Sequence, residues 1–268
     1  MTLLVLATLL LYVLSFGAYT RNLYAESAVT GWTATCGLVA ALVLHYYALL
    51  ERAHMVHAVP YEDLWGSLSL FAWLLGATYL SLEFVHRQRS VGPFALPIVI
   101  ALFAISHAHE ALPHATPARG PIFALHVTLN ILAYSAFALA FVLSAIFLIQ
   151  NRILRGHRPG RVFWRFPALD VLERMSRSAV GVGVIAMCMG MAFGFVWAHR
   201  LHGKYWSGDP KEIVTVLLFV IYLAYLWLGR TPAWRGARAS ALCVANFFAV
   251  LFSYSIVNVY LSHYHKFY

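Results

Sequence analysis

Long apolar runs of roughly 20 residues recur from one end of this chain to the other, separated by short polar gaps. A stretch such as "ALHVTLNILAYSAFALAFVLSAIFLIQ" (124–150) carries no charged residue at all. Such runs leave few folds open, because a backbone in hydrocarbon must satisfy its own hydrogen bonds within a helix or a closed barrel. The period is helical, so the expectation is an all-α, polytopic membrane protein. Eight windows qualify: 2–20, 31–50, 64–85, 92–108, 122–150, 178–198, 212–229 and 239–262. The first, "MTLLVLATLLLYVLSFGAYTR", lacks a basic leader and is long enough to span, so it reads as a transmembrane helix and not as a cleaved signal. Only 11% of the 268 residues are charged against 62% hydrophobic, which leaves no polar segment able to build its own soluble core. The chain therefore reads as a single integral-membrane domain over 1–268.

The net charge of +9 does not point to nucleic acid, because the basic residues sit in the gaps between spans, where they set topology. The strongly basic gap 151–177, "NRILRGHRPGRVFWRFPALDVLERMSR", is expected to be a cytoplasmic loop. Its portion "FPALDVLERMSR" has Leu169, Val171, Leu172 and Met175 at helical spacing and is expected either to lie along the membrane interface or to be a solvated loop. With that loop inside, Arg21, Arg87, Arg89, Arg230, Arg235 and Arg238 are inside too, and both termini face the extracytoplasmic side.

The same orientation crowds eleven of the thirteen histidines toward the outer face, His86 and His157 being the two left inside. Imidazole ligates iron, zinc or copper. Cys36, Cys188 and Cys243 all fall inside apolar runs, with no CxxC or CxxCH, so neither a thiol zinc site nor covalent haem attachment is expected. "SHAHE" (106–110) is a fragment of a zinc-type pattern.

Between spans six and seven lies "WAHRLHGKYWSGDPKE" (197–212), an extracytoplasmic loop by the same topology. Asp209, Pro210 and Glu212 form a helix start: a cap, a first-turn proline and an N3 carboxylate. Trp197, Tyr205 and Trp206 can stack on a flat macrocycle, or belong to the interfacial aromatic belt. Two histidines at the outer ends of separate helices, with this loop between them, could ligate one haem from opposite faces.

"GFVWAHRLHGKYWSGDPKE" resembles the tryptophan-rich WWD signature of the cytochrome c assembly superfamily, whose members include CcsA, CcmC and HemX-type membrane proteins. Gly194, Trp197, Ala198, Gly203, Tyr205, Trp206, Ser207, Asp209, Pro210, Lys211 and Glu212 fall on that pattern. "ALHVTLNILAYSAFALAF" is similar to a family helix that opens on an external histidine, here His126, and "VNVYLSHYHKFY" is similar to the family ending, aligning His265, with His263 where the family has glycine. "YEDLWGSLSLFAWLLGATYLSLE" resembles the family's early outer loop and third helix.

The resemblance implies eight helices in a bacterial-type inner membrane. It implies a non-covalent, b-type haem at the outer face, with His126 and His265 as axial ligands to its iron. Trp197, Tyr205, Trp206 and Asp209 would be haem contacts, no residue would be catalytic, and apocytochrome c or other cytochrome-assembly and respiratory membrane proteins would be partners within the lipid bilayer. Two positions depart from the pattern: Gly208 stands where the family has a second Trp, and Trp227 where many members have an intramembrane His. These departures keep open a structural or electron-transfer subunit of a larger respiratory complex. The outer histidines keep open a metal or small-solute transporter, against which stands the scarcity of intramembrane charge, Glu83 excepted.

Overall fold

A computed structural model describes residues 3–56, 59, 63–108, 120–156, 166–206 and 210–252. Among these there are eight α-helices and no strand: α1 (Leu3–Tyr24), α2 (Ala28–Val56), α3 (Leu64–His86), α4 (Gly92–Ser106), α5 (Gly120–Arg155), α6 (Leu169–His202), α7 (Pro210–Leu228) and α8 (Ala237–Phe252). The protein is a polytopic α-helical membrane protein. Six of these helices are long and apolar enough to cross a membrane, and α4 and α8 are shorter apolar helices.

Two sub-bundles make up the architecture. In one, α1 packs on α2 and α4, and α3 on α4; in the other, α5 packs on α6 and α8. Helix α3 joins them by packing on α5. Close approach of α5 and α6 rests on missing side chains. A Cβ on Gly183 would enter the Phe137 ring, one on Gly190 would sit 2.8 Å from Asn130 Nδ2, and one on Gly194 would sit 2.6 Å from His126 Cε1. Small residues at such positions let membrane helices make dense contact where the hydrophobic effect cannot drive them together.

Two boundaries differ from the sequence reading. The segment "LDVLERMSR" is neither a separate helix nor a loop; it forms the first turns of α6, continuous with the span. Its apolar stripe, Val171, Leu172 and Met175, is buried in the bundle core, and Ser176 Oγ lies 2.9 Å from Ser144 Oγ on α5. Glu173 accepts from the Gly236 N–H at 3.0 Å ahead of α8. The helix thus buries this face on protein, a partner that periodicity alone cannot choose between. Residues 197–202 likewise belong to α6 and not to a loop; the helix stops at Gly203, whose φ of 67° is the left-handed C-cap that glycine adopts without a Cβ penalty. Helix α7 opens on Pro210, so the connection is only 203–209.

One intramembrane acid is built into the first sub-bundle. Glu83 on α3, 3% exposed, accepts hydrogen bonds from Tyr19 (2.5 Å), Thr35 (2.5 Å) and Tyr79 (2.7 Å), and Arg89 Nε lies 3.5 Å from its Oε1. A buried carboxylate is tolerated only when its acceptor capacity is filled in this way.

Candidate functional site

The α5 N-terminus and the α6 C-terminus meet at one end of the bundle, and several of the expected site residues meet there too. His126 lies in the second turn of α5, half-buried against α6. Its Nδ1 is 2.7 Å from the Gly190 carbonyl oxygen. A carbonyl only accepts, so Nδ1 carries the proton and the neutral ring keeps its lone pair on Nε2. That is the arrangement by which a metal-binding imidazole is held: one nitrogen tied to the protein, the other presented.

Asn130, one turn on, completes the cradle. Its Nδ2 donates to the His126 backbone oxygen at 2.7 Å, while its Oδ1 is buried without a hydrogen-bond partner among the described residues. The contact of Asn130 Nδ2 with His126 Nδ1 at 3.3 Å joins two donors once Gly190 has claimed the Nδ1 proton, so it is packing and not a bond. Gly194 supplies the space: its hypothetical Cβ would lie 2.6 Å from His126 Nδ1. The ring therefore rests on bare α6 backbone.

Aromatic side chains surround this point. Trp197 on α6 packs on Phe123 of α5 at 4.9 Å between centroids, and Phe123 is 6.3 Å from the His126 ring. Beyond the helix end, Tyr205 stacks on His199 at 4.1 Å with the rings within 4° of parallel, and Trp206 lies 6.3 Å from Phe195. Tyr205 and Trp206 are 60% and 42% exposed, so broad aromatic faces are presented just past the helix end.

Of the sequence-predicted residues, His126 and Trp197 are brought together through Phe123, and Tyr205 and Trp206 follow on the same connection. Asp209 and His265 lie outside the described residues, as do Gly208 and His263. His45, expected among the outer histidines, is instead fully buried: Tyr12 Oη lies 2.9 Å from its Nδ1 and Ser69 Oγ 3.0 Å from its Nε2. Both nitrogens are engaged, so it is a core residue. His107 has its Nδ1 2.9 Å from the Phe103 carbonyl oxygen. No group of three His, Cys, Asp or Glu that could hold a metal ion occurs among the described residues, so "SHAHE" gains no support from its described part. Trp227 is 64% exposed on the outside of α7. Phe123, Asn130 and Gly190 were not singled out from sequence; the signals were the four-residue step from His126 to Asn130 and the Gly-x-x-x-Gly step at 190–194.

Residues 61–265 match the family model described as cytochrome C assembly protein. The chain belongs to the cytochrome c assembly protein family. Among its relatives, the cytochrome c biogenesis protein CcsA of Porphyra purpurea is 27% identical over 242 residues, covering 74% of this chain and 75% of that protein. The CcsA of Gloeobacter violaceus is 27% identical over 256 residues, with 74% and 75% covered. Among solved structures, the cytochrome c heme lyase CcmF superposes with a TM-score of 0.65 at 18% identity, covering 94% of this chain and 45% of that one. This family member thus shares its fold with less than half of the lyase.

Proposed function

We propose that this family member holds haem at the extracytoplasmic face of a bacterial-type inner membrane and presents it to apocytochrome c or an assembly partner. The observation that carries the reading is the His126 tautomer: the Nδ1–H donates to the Gly190 carbonyl oxygen, which leaves Nε2 as an electron-pair donor. His265 is the second axial ligand in this reading. Trp197, Tyr205 and Trp206 supply aromatic surface around the ring, and Asp209 is a further haem contact in this reading.

When bound, haem supplies the vinyl groups to which cytochrome cysteines are joined. The chain's own part is positioning: Gly190 orients one imidazole, Asn130 packs beside the ring and bonds the His126 backbone oxygen, Gly194 leaves room, and the aromatic residues exclude water. Nothing in this arrangement requires an acid–base pair. The CcsA relatives are named for cytochrome c biogenesis, which agrees with this reading.

The test is absorbance of the protein purified after haem-replete expression. A Soret band is expected in wild type and is expected to be lost in a His126→Ala/His265→Ala double variant. Identical spectra for the two, or no band in wild type, would rule the reading out. A second reading, a subunit that keeps its haem permanently, is favoured by the outward Trp227, which offers no intramembrane ligand for a haem in transit. Haem retained during incubation with reduced apocytochrome c would select it.

A further inference from the structure

The Glu83 network leads to a feature that haem handling does not use. Arg89, on the α3–α4 connection, donates from Nε to Thr35 Oγ1 at 3.0 Å, and its guanidinium carbon stands 4.5 Å over the Trp32 ring. Gly31 admits it: a Cβ there would sit 3.0 Å from an Arg89 terminal nitrogen. One arginine is thus fixed against α2 by a buried carboxylate, a hydroxyl and an indole face, with 27% of its side chain still exposed.

Trp32 also lines a groove of about 810 Å³ between α1 and α2, one turn from its Ala28 end, together with Leu11, Ser15, Val29, Cys36 and Ala40 among others. Its hydroxyls are already spent on helix carbonyls, Ser15 on Ala34 at 2.8 Å and Thr33 on Val29 at 2.8 Å, so the occupant it suits is a hydrocarbon. From Ala28 to Ala40 the groove runs about 18 Å along α2, at 1.5 Å per residue. A single leaflet is about 15 Å of hydrocarbon, while a partner transmembrane helix needs a face of about 30 Å. Length therefore favours a lipid chain over a helix. Charge favours an anionic one. Arg21 ends α1, and Arg87 and Arg89 lie on the α3–α4 connection, and the first N–H groups of α2 open at the same mouth. Glu26, exposed on the α1–α2 turn, is the opposing acid there.

We infer that the α1–α2 groove binds one anionic phospholipid, an acyl chain lying along Val29–Ala40 and the phosphate meeting Arg89 where Glu83, Thr35 and Trp32 hold it. The buried carboxylate then serves to aim an arginine as well as to tie three helices together.

Native mass spectrometry of the full chain in mild detergent tests this, with dioleoylphosphatidylglycerol and dioleoylphosphatidylcholine as probes. Wild type is expected to retain one phosphatidylglycerol more tightly than phosphatidylcholine. Arg89→Gln should weaken phosphatidylglycerol about tenfold, the scale of one charge-assisted hydrogen bond, and should weaken phosphatidylcholine less, because its choline cation offsets the phosphate the two lipids share. Arg89→Lys, which keeps a charge beside Glu83, should recover part of the preference. Ala40→Trp, at an exposed position, should weaken both lipids by filling the groove without touching the polar network. Equal retention of the two lipids by wild type, or retention unchanged in Ala40→Trp, would overturn the inference. So would a thiol cross-linker that joins Cys36 to a second polypeptide, because a helix would then fill the groove.

Discussion

Glu83 and His126 both sit where a membrane protein can ill afford a polar side chain, yet they are treated in opposite ways. Around Glu83 three hydroxyls and an arginine converge, so both carboxylate oxygens have partners. Among the described residues His126 commits only Nδ1 and the neighbouring Asn130 Oδ1 has no partner, and the supporting backbone is glycine. A closed polar circuit ties helices together; an open one keeps a bonding atom in reserve. The comparison teaches that burial alone does not mark a functional group in a membrane. What marks it is an atom whose bonding capacity the fold declines to use.

The sharpest way to break the comparison is Glu83→Ala. Three buried hydroxyls would lose their acceptor and Arg89 its counter-charge, at a cost of about 3–5 kcal/mol. The expected outcome is a large fall in thermal unfolding temperature in detergent, with little folded protein recovered. Unchanged stability would mean that the network is not the tie described.

Gly194→Leu comes next. The new side chain would occupy the space of the His126 ring, and overpacking of this kind costs about 1–3 kcal/mol. Helix content by circular dichroism should survive while the Soret band falls to the level of His126→Ala. Retention of the full band would show that the glycine cradle does not set the imidazole.

Asn130→Ala is expected to move stability least, by less than about 1 kcal/mol. It removes one hydrogen bond to the His126 carbonyl but also deletes a buried acceptor that lacks a partner. Unfolding temperatures within a few degrees of wild type are expected. A loss as large as that from Glu83→Ala would erase the distinction between the two regions.

Much of the fold was legible because each span announces itself locally. The apolar run 64–85 becomes α3 over Leu64–His86. Pro210 opens α7 because its missing N–H costs nothing in a first turn. Where the reading failed, two partners were open to one pattern. The stripe Val171–Leu172–Met175 could face lipid headgroups or other helices, and the bundle claimed it. His45 looked like the other outer histidines until Tyr12 and Ser69, from two other helices, took both its nitrogens. At the site, His126 and Trp197 carried a signature, whereas Phe123 reads as one more apolar residue until α6 is laid against α5.

By itself the sequence determined the helices and the likeness to the cytochrome c assembly family, because a span depends on neighbours three or four residues away and a motif on residues close in the chain. The tertiary structure decided which nitrogen of His126 carries its proton, which histidine is core, and where Arg89 stands. Each of those is set by an atom from another helix or connection, Gly190 lying 64 residues from His126. Hydrogen bonds across a bundle follow from which helices pack together, and that choice is made by shape, at glycines such as Gly183, Gly190 and Gly194.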